Sequence, residues 1–270
     1  MELEQIKSHW QNWASQYKTD LRATTKSGTA KQLEIHALTH ALQQFYSPDQ
    51  SLSILEVGCG NGYNCFALQH AFEQAAITGV DFIEEMVEHA KALNQELHCN
   101  IPFYQGNILE LDKHTQLAHE YDVVYTVRCV INLNNDELQL QGLSQLAQKV
   151  KAGGYLLLIE NQTHTHAKQN TLRNSVDLPS RKPASFNHFM DENKLLRHME
   201  SLDFKHVQSH NFSSLHDVIL YTLVPMINGG EVDYHHPIVS AATELLCKND
   251  PTIYNAFGEF GQNKLFIFKK

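Results

Sequence analysis

The sequence contains no unbroken run of about 18 apolar residues, the length that a transmembrane helix needs. Residues 1–13 are polar and amphipathic, so we expect no secretory signal at this end. No segment is dense in lysine and arginine, and the formal net charge of −9 would repel a phosphate backbone. We therefore expect a cytoplasmic protein that binds neither a membrane nor a nucleic acid.

Cysteines at metal-ligand spacing are also missing. The five cysteines include no C-x-x-C pair, which argues against both a disulfide framework and a zinc site. The 17 histidines are numerous, but a metal needs several converging ligands, and no histidine pair has a third ligand nearby in the sequence. His36 and His40 share a helical face and are interpreted as helix-surface residues. The sequence therefore predicts no metal site.

The chain does show a regular change of hydrophobic period along its length. Residues 1–49 carry two amphipathic helical patterns and are predicted to form an N-terminal helical cap. Residues 50–212 alternate short apolar strands with helices, and residues 263–270 end on one further strand. This alternation predicts an α/β fold with a doubly wound, mostly parallel, seven-stranded sheet. Residues 213–262 carry two helical stripes and are predicted to be a helical insertion between strands 6 and 7.

Two helix ends are predicted from local spacing. Gly153 and Gly154 are expected to close the helix before the fifth strand, because glycine often ends helices. Ser214 and Asp217 have the spacing of a capping box at the start of the insertion. Both predictions concern hydrogen bonds that the structure can show directly.

The most informative stretch is Leu55–Gly62 (LEVGCGNG), which lies between a predicted strand and a predicted helix. Glycines let the backbone turn tightly and approach a ligand, and the N–H groups at the helix start then face that ligand. A dinucleotide fingerprint, G-x-G-x-x-G, would need its third glycine where this chain has Tyr63. The spacing is E-x-G-x-G-x-G instead. It resembles motif I of the class I S-adenosylmethionine-dependent methyltransferases.

Four further segments resemble this family in the expected order. Asp81 ends the second strand, Gln105–Ile108 ends the third, Tyr121–Leu133 covers the fourth strand and its loop, and Lys151–Glu160 leads into the fifth. The resemblance implies a Rossmann-like methyltransferase with S-adenosylmethionine as cofactor, in which Asp81 accepts hydrogen bonds from both ribose hydroxyls. The expected cofactor-binding residues are Tyr17, Glu56, Gly58, Cys59, Gly60, Asn61, Asp81, Phe82, Ile83, Asn107, Ile108 and Arg128.

The choice of acceptor rests on local exclusions. Amino-methylating DNA enzymes carry an (N/D)PP(Y/F) tetrapeptide after the fourth strand, where this chain has Thr126–Cys129. Cys129 also lacks the proline that precedes the nucleophile of cytosine-C5 enzymes, and the paired glutamates of protein arginine methyltransferases are absent. We expect methylation of an O or N atom of a small molecule, such as a metabolite, natural product or saccharide. A non-catalytic cofactor-binding or partner-binding protein is the alternative, and a homodimer stays open.

Several polar residues follow the strands on the side where substrates meet the cofactor. Arg128 could clamp a carboxylate or phosphate, or equally form a structural salt bridge. His164 and His166 follow the fifth strand, and His164 is the candidate general base because imidazole has a suitable pKa. The first helix, with Trp10, is expected to close over the cofactor. The expected substrate-binding residues are Arg128, Asn132, His166 and Arg173.

Overall fold

Seven strands form one sheet in a computed structural model that describes residues 1–249 and 251–270. In chain order they are β1 (Ser53–Val57), β2 (Ala76–Asp81), β3 (Phe103–Gln105), β4 (Tyr121–Val127), β5 (Val150–Asn161), β6 (Lys205–His210) and β7 (Asn263–Lys269). Their spatial order is β3-β2-β1-β4-β5-β7-β6. β1 to β5 pair in parallel, whereas β7 is antiparallel to both β5 and β6. The predicted doubly wound α/β fold is confirmed.

Helices cover both faces of this sheet. In chain order they are α1 (Leu3–Tyr17), α2 (Gly28–Gln43), α3 (Tyr63–Ala71), α4 (Glu84–Glu96), α5 (Asp136–Gln148), α6 (Thr163–Asn174), α7 (Glu192–Ser201), α8 (Ser214–Val218), α9 (Val224–Ile227) and α10 (Pro237–Cys247). A π-helix, Ile219–Leu223, joins α8 to α9. Short 3-10 helices lie at Leu21–Ala23, Ile108–Lys113, Val130–Asn132 and Pro251–Phe257. No helix in the described part of the chain is long and apolar enough to cross a membrane.

The apolar run of β4 is explained by burial on both faces of the sheet. Val123 and Tyr125 point into a core that contains Leu68 of α3, and Val124 points into a second core that contains Leu143 of α5. All five side chains are fully buried. A strand in this position loses the alternation of apolar and polar residues, which is why its sequence is almost continuously apolar.

The segment 213–262 carries α8, the π-helix, α9 and α10 between β6 and β7. It has a small core of its own, which includes Leu220 and Val239. Leu246 and Tyr254 instead belong to the main core beside α2. Asp250, within the predicted insertion, lies outside the described residues. The boundaries at 49, 212 and 262 therefore stay predictions, because the segment partly shares the core of the sheet.

The expected end of α5 at the glycine pair is wrong. The helix ends at Gln148, and both Gly153 and Gly154 lie inside β5, where its pairing with β4 shifts register. Gly153 has a φ of +78°, and a Cβ on Gly154 would lie 2.7 Å from the Asp122 carbonyl oxygen. The glycines therefore permit an irregularity between two strands, a role that glycine often has inside strands.

The expected capping box of Ser214 and Asp217 is not formed. Ser213 occupies the N-cap position. The Ser214 hydroxyl donates to the Gly258 carbonyl at 2.8 Å and accepts from the Phe260 N–H at 2.7 Å. Asp217 accepts from the Ser213 hydroxyl at 3.1 Å. These side chains tie α8 to the segment before β7, so tertiary contacts take the place of a local cap.

Candidate functional site

A cavity of about 300 Å³, here called the cleft, lies at the carboxyl ends of β1, β2 and β4 and is covered by α1. β1 lies between β2 and β4. The strands that follow β1 are added first on one side, as β2 and β3, and then on the other side, from β4 onwards, so the strand order reverses at β1. Ligands of doubly wound sheets bind at such a switch point. Nine of the expected cofactor residues line the cleft: Gly58, Cys59, Gly60, Asp81, Phe82, Ile83, Asn107, Ile108 and Arg128.

The glycine loop after β1 lines the cleft with its backbone. Gly58 and Gly60 have φ values of +78° and +55°, which residues with a side chain rarely adopt. A Cβ on Gly58 would lie 2.5 Å from Cys129 Sγ, and one on Gly60 would lie 2.5 Å from Thr24 Cγ2. A ligand can therefore approach the backbone of the loop closely, because Gly58 and Gly60 have no side chains. This fits a cofactor held by main-chain contacts.

Asp81 ends β2 and faces the glycine loop. Its Oδ2 accepts from the Gly60 N–H at 2.7 Å, and its Oδ1 accepts from the Ile83 N–H at 2.9 Å. Burial raises the pKa of the Asp81 carboxyl, and these two bonds oppose the shift. Each carboxylate oxygen has a second lone pair, so the group that fixes the loop can also accept a pair of hydroxyls. This arrangement fits a ribose.

Three expected cofactor residues do not line the cleft. Glu56 is fully buried behind the glycine loop, where it accepts from Asn64 Nδ2 at 2.7 Å and Tyr125 OH at 2.9 Å. Burial raises its pKa. Asn61 donates to backbone carbonyls between α1 and α2, and Tyr17 packs in an aromatic group on α1. All three support the walls of the site, and their contact with the cofactor stays a prediction.

A buried ion cluster beside the glycine loop contains the salt bridge that was one of the two alternatives for Arg128, with partners that the sequence did not identify. Arg128 Nε lies 2.7 Å from Glu34 Oε1, and Lys31 Nζ lies 3.3 Å from Glu34 Oε2. Lys31 and Arg128 line the cleft, whereas Glu34 is fully buried behind them. Burial alone would raise the pKa of Glu34, but the two cations outweigh it and lower that pKa. Two cations thus share one carboxylate, which leaves positive charge at the cleft wall.

Glu160, another residue that sequence reasoning missed, holds the β4 loop (residues 128–132). Its Oε1 accepts from the Cys129 and Val130 N–H groups at 3.1 and 3.0 Å. Arg128, at the start of this loop, has a φ of +53°, which is uncommon for a residue with a side chain. Burial raises the pKa of Glu160 to about 7. The loop that carries Arg128 and Asn132 therefore depends on a buried carboxyl of β5.

Helix α1 closes the cleft from above. Ile6, Lys7 and Trp10 of this helix line the cavity. Trp10 Nε1 donates to Asn132 Oδ1 of the β4 loop at 3.0 Å. On its outer side, His9 stacks on Phe186 with ring centroids 4.1 Å apart. Helix α1 and Asn132 thus both border the cleft, and closure of the helix over a cofactor and the substrate role of Asn132 stay predictions.

The structure does not bring the other expected catalytic and substrate residues to the cleft. His164 is partly exposed and lies 3.4 Å from Glu192 Oε2. His166 is buried at the edge of the Phe189 ring, and Arg173 is buried with its guanidinium on backbone carbonyls. None of the three lines the cavity. Their roles stay predictions.

His36 and His40 share a helical face and are partly exposed, but His36 also contacts a buried side chain, which its interpretation as a surface residue did not include. Their ring centroids lie 4.3 Å apart, and His36 Nδ1 lies 2.5 Å from the hydroxyl of the buried Tyr254. Burial lowers the pKa of His36 to about 4, with a smaller contribution from His40. Within the described part of the chain, no group of three or more histidine, cysteine or acidic residues could hold a metal ion.

Comparison with known proteins assigns the family. Residues 48–212, more than half of the chain, match a family described as a methyltransferase domain, and the chain belongs to that family. Its identification as a class I methyltransferase with S-adenosylmethionine as cofactor is confirmed.

Curated relatives include malonyl-(acyl-carrier protein) O-methyltransferases. The protein of Bacillus anthracis is 40% identical over 89 residues, which are 33% of this chain and 31% of that relative. The protein of Bacillus cereus is 37% identical over 122 residues, or 45% and 42% of the two chains. The chain thus matches less than half the length of these relatives.

Solved structures share the fold at low identity. Magnesium protoporphyrin IX methyltransferase from Synechocystis, with bound S-adenosylhomocysteine, has a TM-score of 0.57 at 14% identity, over 89% of this chain and 83% of that chain. A methyltransferase from Methanosarcina mazei has a TM-score of 0.53 at 14% identity, over 85% and 96%. The (4+2)-cyclase SpnF scores 0.55 at 15% identity, over 87% and 80%. Because a cyclase shares the fold, the reaction must be argued from the site.

Proposed function

We propose that the protein transfers a methyl group to a carboxylate oxygen of a small acyl compound, either free or attached to a carrier protein. The observation that carries this proposal is the chemistry of the cleft wall. It offers backbone glycines, the carboxylates of Glu4 and Asp81 and the cations Lys7, Lys31 and Arg128, but no histidine among the described residues that line it. An alcohol usually needs a general base to become a nucleophile, whereas a carboxylate is already one at neutral pH.

The curated relatives support the same choice of acceptor. Their names describe methylation of oxygen on a malonyl group, and a malonyl group ends in a free carboxylate. The matched segments cover less than half of those proteins, so the names alone do not identify the acceptor here. The class of acceptor that they suggest agrees with a cleft that needs no proton acceptor.

The residues of the cleft divide into two groups in this proposal. Asp81, Ile83 and Ile108 would hold the adenosine part of the cofactor, with the ribose on Asp81. Lys31 and Arg128 would pair with the carboxylate of its amino-acid part, because among the described residues Glu34 is the one acid that both of them contact. A guanidinium and an ammonium suit this role, since both donate charge-assisted hydrogen bonds.

The main tasks of the chain are then alignment and exclusion of water. Bound S-adenosylmethionine supplies a methyl group that is already activated by a positively charged sulfur. Attack by a carboxylate oxygen forms the new C–O bond as the C–S bond breaks, so two opposite charges disappear. A cleft covered by α1 and closed by the Trp10–Asn132 bond favours this step, because water would stabilise the separate charges more than the products.

The test is a transfer assay with S-adenosylmethionine labelled in its methyl group. Malonyl and acetyl thioesters of N-acetylcysteamine form a matched pair, because only the malonyl compound has a free carboxylate. We expect label on the malonyl compound alone, released as methanol in alkali as a methyl ester requires. Alkali-stable label, or transfer to alcohols or amines but not to carboxylates, would contradict the proposal. Binding of S-adenosylhomocysteine without turnover of any acceptor would favour the non-catalytic alternative.

A further inference from the structure

A second group of cations lies outside the cleft, where α6 meets the helices of segment 213–262. Arg173, near the end of α6, is only 3% exposed. Its guanidinium donates to the carbonyl of Tyr221 and, at 3.0 Å, to the carbonyl of Pro179. Arg181, in the loop after α6, holds its guanidinium carbon 3.4 Å from the centre of the Tyr221 ring. Two guanidinium groups thus meet at one residue.

These two positive charges have no ion-pair partner in the described part of the chain. Within residues 1–249 and 251–270, neither Arg173 nor Arg181 forms an ion pair with a carboxylate. Arg181 donates instead to the neutral amides of Gln169 at 2.9 Å and Gln262 at 3.1 Å. Asp217, whose charge affects the pKa of Tyr221, already accepts bonds from other groups. Buried charges are normally paired, so the buried guanidinium of Arg173, with the half-buried Arg181 beside it, lacks an anion.

Two independent features mark the same place. The Nε2 atom of His166 is buried without a hydrogen-bond partner among the described residues, and burial together with Arg181 lowers the pKa of this imidazole. Tyr221 lies in the π-helix Ile219–Leu223, a rare structure that is often found at functional sites. In each arginine Nη1 donates to a neighbouring oxygen, whereas Nη2 makes no hydrogen bond to a described residue.

We propose that Arg173 and Arg181 form a binding site for an oxyanion, a phosphate or carboxylate group, beside the Tyr221 ring and outside the cleft. Guanidinium groups bind such anions through their N–H donors, and the Nη2 groups of the two arginines are the donors that no described residue uses. The anion would provide the negative charge that the cluster lacks. Loop residues after Arg181 lead to Phe186, which stacks on α1, so the site lies on the segment that contacts the lid of the cleft.

The test measures binding of inorganic phosphate and of malonate to the full chain by calorimetry, with chloride at equal ionic strength as the reference. Arg181→Gln is the test variant, and Lys182→Gln is the matched control because it removes one positive charge from the adjacent, exposed residue. We expect Arg181→Gln to weaken anion binding by about tenfold or more, since it removes charge-assisted bonds. Lys182→Gln should leave the dissociation constant nearly unchanged.

Arg181→Lys keeps the charge without the fork of donors, so it tests the geometry even where Arg181→Gln folds poorly. No binding above the chloride reference, or an equal loss of binding from Arg181→Gln and from Lys182→Gln, would overturn the proposal. Binding of S-adenosylhomocysteine should be unchanged in all three variants, because neither Arg181 nor Lys182 lines the cleft.

Competition between phosphate and the methyl acceptor in the transfer assay distinguishes the sources of the anion. Only this experiment rests on the proposed methyl transfer. Phosphate that raises the KM for the acceptor without changing kcat would place an anionic group of the acceptor at this site. Phosphate that binds without affecting turnover would indicate a free anion instead. A protein without methyl transfer still allows the calorimetric test, so failure of one proposal is separable from failure of the other.

Discussion

Glu160 offers the sharpest test of how the β4 loop is held beside the cleft. The change is Glu160→Gln, which keeps the shape of the side chain. In the wild type, Oε1 accepts from Thr126 Oγ1 at 2.9 Å and from two backbone N–H groups of the β4 loop. Oε2 accepts from the Ile131 N–H at 3.3 Å. The amide can keep its oxygen towards the first three donors, but its NH2 group then faces the Ile131 N–H, donor against donor.

The change in the free energy of unfolding follows from the lost Ile131 hydrogen bond and from the proton that the Glu160 carboxyl binds. A buried N–H without an acceptor costs about 1–3 kcal/mol. Burial raises the pKa of Glu160 to about 7, above its value in an unfolded chain. The folded protein therefore holds the proton more tightly, so the stability from this group is complete below about pH 4.5 and is lost as the pH rises through about 7. At roughly 1.4 kcal/mol per pKa unit, the ceiling is about 3 kcal/mol.

The assay is urea unfolding of the wild type and the Gln variant between about pH 5 and pH 8. Taking the difference removes the contribution of the histidines, which both proteins share. We expect the variant to lose most stability near pH 5 and progressively less towards pH 8, whereas the exposed control Glu110→Gln should give a small, constant difference. A difference that is flat or grows with pH would refute the assignment of Glu160 as a buried carboxyl with a raised pKa.

Three further predictions concern the cofactor, the lid and acid stability. Asp81→Asn keeps one oxygen but loses one charge-assisted bond, so calorimetry should show S-adenosylhomocysteine binding at least about tenfold weaker; an unchanged dissociation constant would sink the ribose assignment. The only two tryptophans, Trp10 and Trp13, lie on α1, so adding S-adenosylhomocysteine should change intrinsic fluorescence, and a flat titration at saturation would contradict closure by this helix. Because the pKa of His36 falls to about 4, its folded form resists protonation, and stability should drop by up to about 2 kcal/mol between about pH 7 and pH 5. His36→Gln should flatten that slope in urea unfolding.

Features that depend on backbone geometry could be predicted from the sequence. The order of strands and helices follows from the hydrophobic period, and the apolar run of the fourth strand coincides with its observed bounds. The glycine loop is also a local signal, because a positive φ strongly favours glycine at each of these positions. Asp81 could be placed because it ends a strand at the edge where ligands bind.

The phase of a helix explains why the histidine prediction reached the correct edge of the sheet but not the cleft. His164 and His166 follow β5 as expected, but α6 begins at Thr163. Residues two apart on a helix point about 200° apart, so both cannot face one site. His164 is directed to Glu192, and His166 is buried beside Phe189. Position after a strand therefore did not determine where these side chains point.

The supporting acids did have a sequence signal, although their partners did not. Glu56 and Glu160 each stand near the end of an apolar strand whose neighbours are buried, and Glu34 shares the apolar face of α2 with Leu38 and Ala41. A charge in such a position is costly to bury unless it is paired, so each of these acids must have partners. Apart from Lys31, three residues before Glu34, the partners lie at least 8 residues away in the sequence, up to the 229 residues that separate Glu34 from Asn263. An acid on an apolar face therefore predicts a buried network of hydrogen bonds or ion pairs. Which loop that network holds is determined by the fold and requires the structure.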